Sequence, residues 1–348
     1  MGVKMKKINF LKRKSRIAVI SPSNGLPFIF PDIYELGLRN LEKYFSIEVI
    51  EYPSARMSPN ELYNNPELRA KDINDAFKDK SIDGIITSIG GYESVRILKF
   101  LDLDIIMDNP KLIMGFSDAT AFLSYLNYKG LTTFYGPSIM AGFAELGHID
   151  KKYINHINEF LFDLKVPFSY EPYELYTNGY KDWKNIDTLG QCQNFINNNG
   201  LDFLNQSGKV KGKLWGGCIG VLECLKGTIY FPELDFFKDK ILFFETSEEK
   251  PTPMQVGYML RNYGTQGILN VINGIIFGRP KDYTIEEVKE LKKIIKDIIE
   301  IEFNIKNISV VMNADFGHTD PKWILPYGME VLLDADKKKI VLLENPFN

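Results

Sequence analysis

Apolar residues fall along the first half of the chain in two alternating rhythms. Residues 16–21 form a β-branched run stopped by Pro22. Residues 32–45 carry Ile33, Leu36, Leu38, Leu41 and Tyr44 at helical spacing. The alternation then repeats: 47–51 reads as strand, 67–78 as helix, 83–88 as strand and 93–101 as helix. A short apolar run at 112–114, a turn, a helix-like stretch over 119–128 and a short strand at 132–135 continue it. Buried apolar strands between amphipathic helices predict an α/β fold with a doubly wound, mainly parallel sheet. Ligands of such sheets sit at the carboxyl ends of the strands. Gly90-Gly91 and Ser117 both fall at such ends.

The rhythm breaks over residues 167–208, which are rich in Tyr, Asn, Gly and Gln and show little period. A long aperiodic segment inside a compact chain reads as a linker or a functional loop. The expected organisation is therefore an N-terminal domain over 1–166, a linker with an aromatic substrate loop over 167–208, and a C-terminal mixed α/β domain over 209–348. In the last part 240–244, 274–277, 308–312, 329–334 and 339–343 read as strands, and 254–263 and 285–301 as helices. A length of 348 residues fits two domains of ordinary size.

Composition narrows the function classes. With 45% apolar and 25% charged residues and a formal net charge of −3, the chain reads as a folded globular protein. Nothing in that balance favours nucleic acid or an anionic membrane as partner. The basic cluster over 4–14 is broken by Ile8-Asn9-Phe10-Leu11 and reads as a solvated lead-in. No 18-residue apolar run predicts a membrane span, and no signal peptide is evident. Cys192, Cys218 and Cys224 are odd in number and lack a Cys-x-x-Cys spacing, which points to reduced thiols, a cytoplasmic setting and no metal site.

The candidate chemistry starts at Gly115-Phe116-Ser117-Asp118, between a short strand and a helix. A serine on such a turn projects its hydroxyl from the sheet edge, as in a nucleophile elbow. The same Ser-Asp pair also reads as a helix N-cap, and Ala119 stands where the α/β-hydrolase elbow has its last glycine. Glu245 ends the strand-like run 241–244 and can orient an imidazole, or be one solvated acid among several. His318, in the loop Asn313-Ala314-Asp315-Phe316-Gly317-His318-Thr319-Asp320, is a candidate base or an ordinary satisfied histidine. His148 and His156, at a helix start, read as structural. Gly90-Gly91 lacks a phosphate-loop pattern around it. Its glycines let a backbone N–H approach a developing oxyanion.

Five segments occur together in a particular order: 88–98 with Ile89-Gly90-Gly91, Gly115-Phe116-Ser117-Asp118-Ala119-Thr120, Trp215-Gly216-Gly217, Leu242-Phe243-Phe244-Glu245 and Gly317-His318-Thr319. That ordered set resembles the LD-carboxypeptidase family of serine peptidases. The branch it most resembles contains the microcin C self-immunity proteins. The resemblance implies a catalytic triad of Ser117, Glu245 and His318. It implies an oxyanion hole from the N–H groups of Gly91 and Asp118, substrate contacts at Gly90, Trp183 and Cys218, no cofactor or metal, and a homodimer. Cys218 stands where relatives often carry asparagine, and it also reads as a small buried residue starting a helix. The expected activity is cleavage of the amide of a peptidyl or aminoacyl nucleotide of the microcin C type. The alternatives are the L,D bond of a muropeptide, or non-catalytic binding of a small molecule.

Overall fold

A computed structural model describes residues 5–205 and 208–348. Lys4 of the basic lead-in, and Gln206 and Ser207 of the linker, lie outside the described residues. The first sheet is built from Arg16–Ile20 (β1), Glu48–Glu51 (β2), Gly84–Thr87 (β3), Leu112–Gly115 (β4) and Phe134–Tyr135 (β5). These run parallel in the order β5-β4-β3-β1-β2. Ile85, Ile86, Ile113 and Met114 are fully buried, because helices cover both faces and leave no side of β3 or β4 to water. Helix Pro31–Phe45 starts on a proline and stops at Ser46, whose left-handed backbone turns its N–H back to the Glu42 carbonyl. The segment read as helix at 93–101 is instead a run of 3-10 turns, Ser94–Phe100. Its start is set by a tertiary bond, since the Asp118 carboxylate accepts the N–H groups of Glu93 and Ser94.

The linker is not structureless. It contains Phe168–Tyr170 (β6), Leu175–Tyr176 (β7), Ile196–Asn197 (β8) and Asp202–Phe203 (β9). Strands β7 and β8 pair with each other, while β6 and β9 close the two edges of the second sheet. The rest of that sheet comes from Lys209–Cys218 (β10), Lys240–Glu245 (β11), Gly274–Gly278 (β12) and Ser309–Ala314 (β13). After Leu325–Pro326 (β14), it adds Glu330–Asp334 (β15) and Lys339–Leu342 (β16). Its order is β6-β16-β15-β10-β11-β12-β13-β9, with β10 to β13 parallel. Strand β10 has no counterpart in the sequence reading, although it lies in the middle of the sheet. Its first half turns Lys209, Lys211 and Lys213 outward, and its second half, from Leu214, is buried. Two burial regimes in one strand blur the period of two. Among the described residues, no helix is long and apolar enough to cross a membrane.

The two sheets share chain. Strand β14, from the C-terminal part, pairs antiparallel with β5 in the first sheet. The Trp215 indole donates to the Ser124 carbonyl at 3.2 Å, and the Cys218 N–H to Thr120 Oγ1 at 2.9 Å. His156 lies inside helix Lys151–Phe162, not beside its start, and its Nε2 accepts the Ile324 N–H at 3.0 Å. That bond ties the helix to the approach of β14. It requires a neutral ring, and burial pushes the imidazole down to about 3. Between that value and the ordinary histidine value of about 6.5 the unfolded chain binds the extra proton, so stability falls as pH falls through this window. His156→Gln should flatten the fall by up to about 1.4 kcal/mol per pH unit between about pH 4.5 and 6.5. Denaturant titrations of both proteins across that range measure the difference, and parallel curves would refute it.

Candidate active site

Strand β4 ends at Gly115, and the chain turns through Ser117 into helix Thr120–Tyr128. Ser117 holds φ at 60°, a left-handed conformation uncommon for a side chain larger than hydrogen. Its N–H donates to the Tyr135 phenol oxygen at 3.0 Å. Asp118 is buried. Burial pushes its carboxyl up, and the N–H donors of Ser94 and Glu93 pull against that shift. In addition, Ser94 Oγ donates to the Asp118 carbonyl at 2.6 Å. These bonds press the Gly90-Gly91 turn onto the serine turn. A Cβ on Gly90 would lie 2.9 Å from the Ser117 Cβ, so only glycine fits. The Gly91 N–H has no hydrogen-bond partner among the described residues. That leaves a backbone donor free beside the serine.

The acid and the histidine come from the second sheet. Glu245 is the last residue of β11, and His318 lies in the loop after β13. His318 Nε2 is 3.0 Å from Ser117 Oγ, and His318 Nδ1 is 2.7 Å from Glu245 Oε2. A carboxylate only accepts, so Nδ1 carries the proton and Nε2 is free to accept from the serine hydroxyl. The other Glu245 oxygen accepts the Tyr135 O–H at 2.5 Å. Gly317 has φ at +97°, and a Cβ there would stand 2.6 Å from Glu245 Oε2. The residue before the histidine must therefore be bare. The loop is braced from behind: Asp315 accepts Arg279 at 2.8 Å, the Tyr173 N–H at 3.0 Å and the Asn198 amide at 3.1 Å. The structure thus brings Ser117, His318 and Glu245 into one hydrogen-bonded line, with Gly90, Gly91 and Asp118 beside the serine.

Ser117 and His318 face a cleft of about 510 Å³ that Gly90, Gly91, Asp118 and Cys218 also line. Cys218 is fully buried at the start of helix Ile219–Glu223. Burial and then the Glu245 charge push its thiol well above its usual value, which keeps it from being a thiolate. Trp183, expected to contact substrate, does not line the cleft. It stacks on Tyr180 at 4.3 Å and meets the edge of Phe30 at 5.6 Å. Tyr180 covers its inner face and is the ring that reaches the cleft. Two other aromatic residues of this stretch pack against neighbours: Tyr173 lies against Tyr153, and Tyr176 under the Arg279 guanidinium. The sequence reading also passed over Lys322, Lys281, Glu248 and Glu249 on the cleft wall. It passed over Tyr135, whose only signal was its place at the end of a short strand.

Family models of the LD-carboxypeptidase N-terminal and C-terminal domains match residues 17–136 and 211–333. The chain belongs to the LD-carboxypeptidase family of serine peptidases. Relatives of this peptidase include the Escherichia coli microcin C7 self-immunity protein MccF, 29% identical over 79% of this chain and 78% of that protein. A crystal structure of an MccF-like protein from Streptococcus pneumoniae in complex with AMP is 29% identical, covers 94% of this chain and 98% of its own, and has a TM-score of 0.83. An MccF-like protein from Bacillus anthracis is 27% identical over 97% and 98% of the two chains, with a TM-score of 0.82. The resemblance read from the five sequence segments is the family that the domain models match.

The packing of Trp183 carries its own test. Trp183→Ala removes the ring that holds the loop to Phe30, and should lower stability by about 2 kcal/mol. Chemical denaturation measures this, and an unchanged midpoint would show that the ring anchors nothing.

Proposed function

We propose that this chain is a serine amide hydrolase. The observation that carries the reading is the line from Ser117 through His318 to Glu245 at the wall of the cleft. His318 takes the proton as Ser117 Oγ attacks the substrate carbonyl, and Glu245 orients and stabilises the imidazolium that results. The N–H groups of Gly91 and Asp118 receive the oxyanion of the tetrahedral intermediate. The imidazolium then gives its proton to the leaving amine. Water, deprotonated by the same ring, releases the acyl group from the serine.

For the substrate we favour an aminoacyl or peptidyl nucleotide. Two things support this: AMP is bound in the Streptococcus pneumoniae relative, and the Tyr180 ring lines this cleft. A planar base needs such a surface. A second reading is the L,D amide of a muropeptide. The family description supports it, as does the Lys281 ammonium group on the cleft wall, which suits a free carboxylate. Three free cysteines support a reducing, cytoplasmic setting, and a homodimer remains part of the proposal on the family resemblance.

Ser117→Ala separates a hydrolase from a binding protein. The variant should fold like the parent, bind substrate, and lose turnover by roughly a thousandfold or more. Mass spectrometry of an aminoacyl-adenylate amide and of a tetrapeptide muropeptide, each incubated with parent and variant, reads both the activity and the substrate class. Retention of more than a tenth of the turnover would end the nucleophile assignment. Tyr180→Ala should raise KM roughly tenfold for the nucleotide substrate, the equivalent of about 1.4 kcal/mol of lost stacking, and leave muropeptide cleavage unaltered. Equal effects on both substrates would count against the base-stacking role.

A further inference from the structure

We propose that Tyr135 is a positioning residue of the active site, closing the hydrogen bonds of the nucleophile, histidine and acid into a ring. The inference rests on the triad proposed above and adds to it a residue from β5, in the sheet that carries Ser117.

The ring can be followed donor by donor. Ser117 Oγ donates to His318 Nε2, and His318 Nδ1–H donates to Glu245 Oε2. On the other side, the Ser117 backbone N–H donates to the Tyr135 oxygen, and the Tyr135 O–H donates to Glu245 Oε1. Both paths leave Ser117 and end on the same carboxylate. A phenol has one proton to give and lone pairs to accept with, so Tyr135 is matched to its two neighbours. The phenol stays protonated, because burial and the nearby Glu245 charge both push it well above its usual value. Tyr135 is therefore a fixed donor toward Glu245.

Two consequences follow for the reacting groups. The N–H bond helps hold Ser117 in its left-handed turn, where Oγ meets the imidazole. The O–H bond occupies one carboxylate oxygen, so Glu245 cannot rotate and must meet His318 through the other. It also draws charge from the carboxylate, which sets how strongly Glu245 pulls on the imidazole N–H. The ring of Tyr135 is held independently of its hydroxyl by Phe243, Phe316, Tyr327 and Phe116. Removing one oxygen therefore tests the hydrogen bonds and leaves the aromatic packing in place.

Tyr135→Phe should lower kcat roughly tenfold or more through misplacement of the reacting groups, with KM within about twofold. The imidazole Nδ1 proton of His318, followed by NMR in histidine-labelled protein, should move downfield, because the freed carboxylate accepts it more strongly. In a double-mutant cycle with Glu245→Gln the two losses in kcat should be non-additive, since Tyr135 acts through Glu245. Should Tyr135→Phe fail to fold, Tyr135→3-fluorotyrosine keeps the shape and strengthens the donor, and the same resonance should move upfield. An unmoved resonance in whichever of the two proteins folds overturns the proposal, as do additive losses in the cycle. The resonance needs no turnover, so it judges Tyr135 even if Ser117→Ala shows that the serine is not the nucleophile.

Discussion

Glu245 is a carboxylate with 1% of its surface exposed, at the seam of two sheets. A charge in that place is tolerated only when donors replace the water it has lost. Here one donor is a phenol from the first sheet and the other an imidazole from the second. The acid can be satisfied only when both sheets are in register with each other, so the assembled site and the correct sheet-to-sheet docking are one condition. Gly317 belongs to the same constraint, since any Cβ there would occupy the space of the carboxylate.

The seam is held by more than the site. Strand β14 crosses to pair with β5, next to Tyr135 itself, and Tyr170 and His156 grip the backbone of Ile324 just before it. Trp215 and Cys218 reach back from β10 to the helix that follows the serine. With strand pairing shared between the sheets, wide hinge opening would break buried hydrogen bonds. Adjustment to a ligand therefore falls to surface groups at the mouth, such as Tyr92 and Glu248, which are both exposed.

Much of the first sheet was legible because its strands are short, mostly apolar at their centres and set between amphipathic helical stretches. Ser117, Glu245 and His318 could be named because each sits at a strand end or loop within an ordered set of motifs. Their contact at hydrogen-bond distance could not be read, since it depends on how β11 and the loop after β13 dock on β4. Tyr135 was invisible for the same reason: its partners are near neighbours in space and far apart in sequence. Strand β10 hid behind a lysine-rich outer half. Trp183 was named from the family resemblance, which does not say how the rings of the loop stack, and here Tyr180 lines the cleft with Trp183 stacked on it.

The left-handed backbone of Ser117 has an evolutionary corollary. A side chain in that conformation costs about 1 kcal/mol that glycine would not incur. The position is thus one where the chain gives up a little folding stability for the placement of a single hydroxyl. In a lineage that lost the need for hydrolysis, selection for stability alone would push this site toward glycine and preserve the surrounding fold as a binding scaffold.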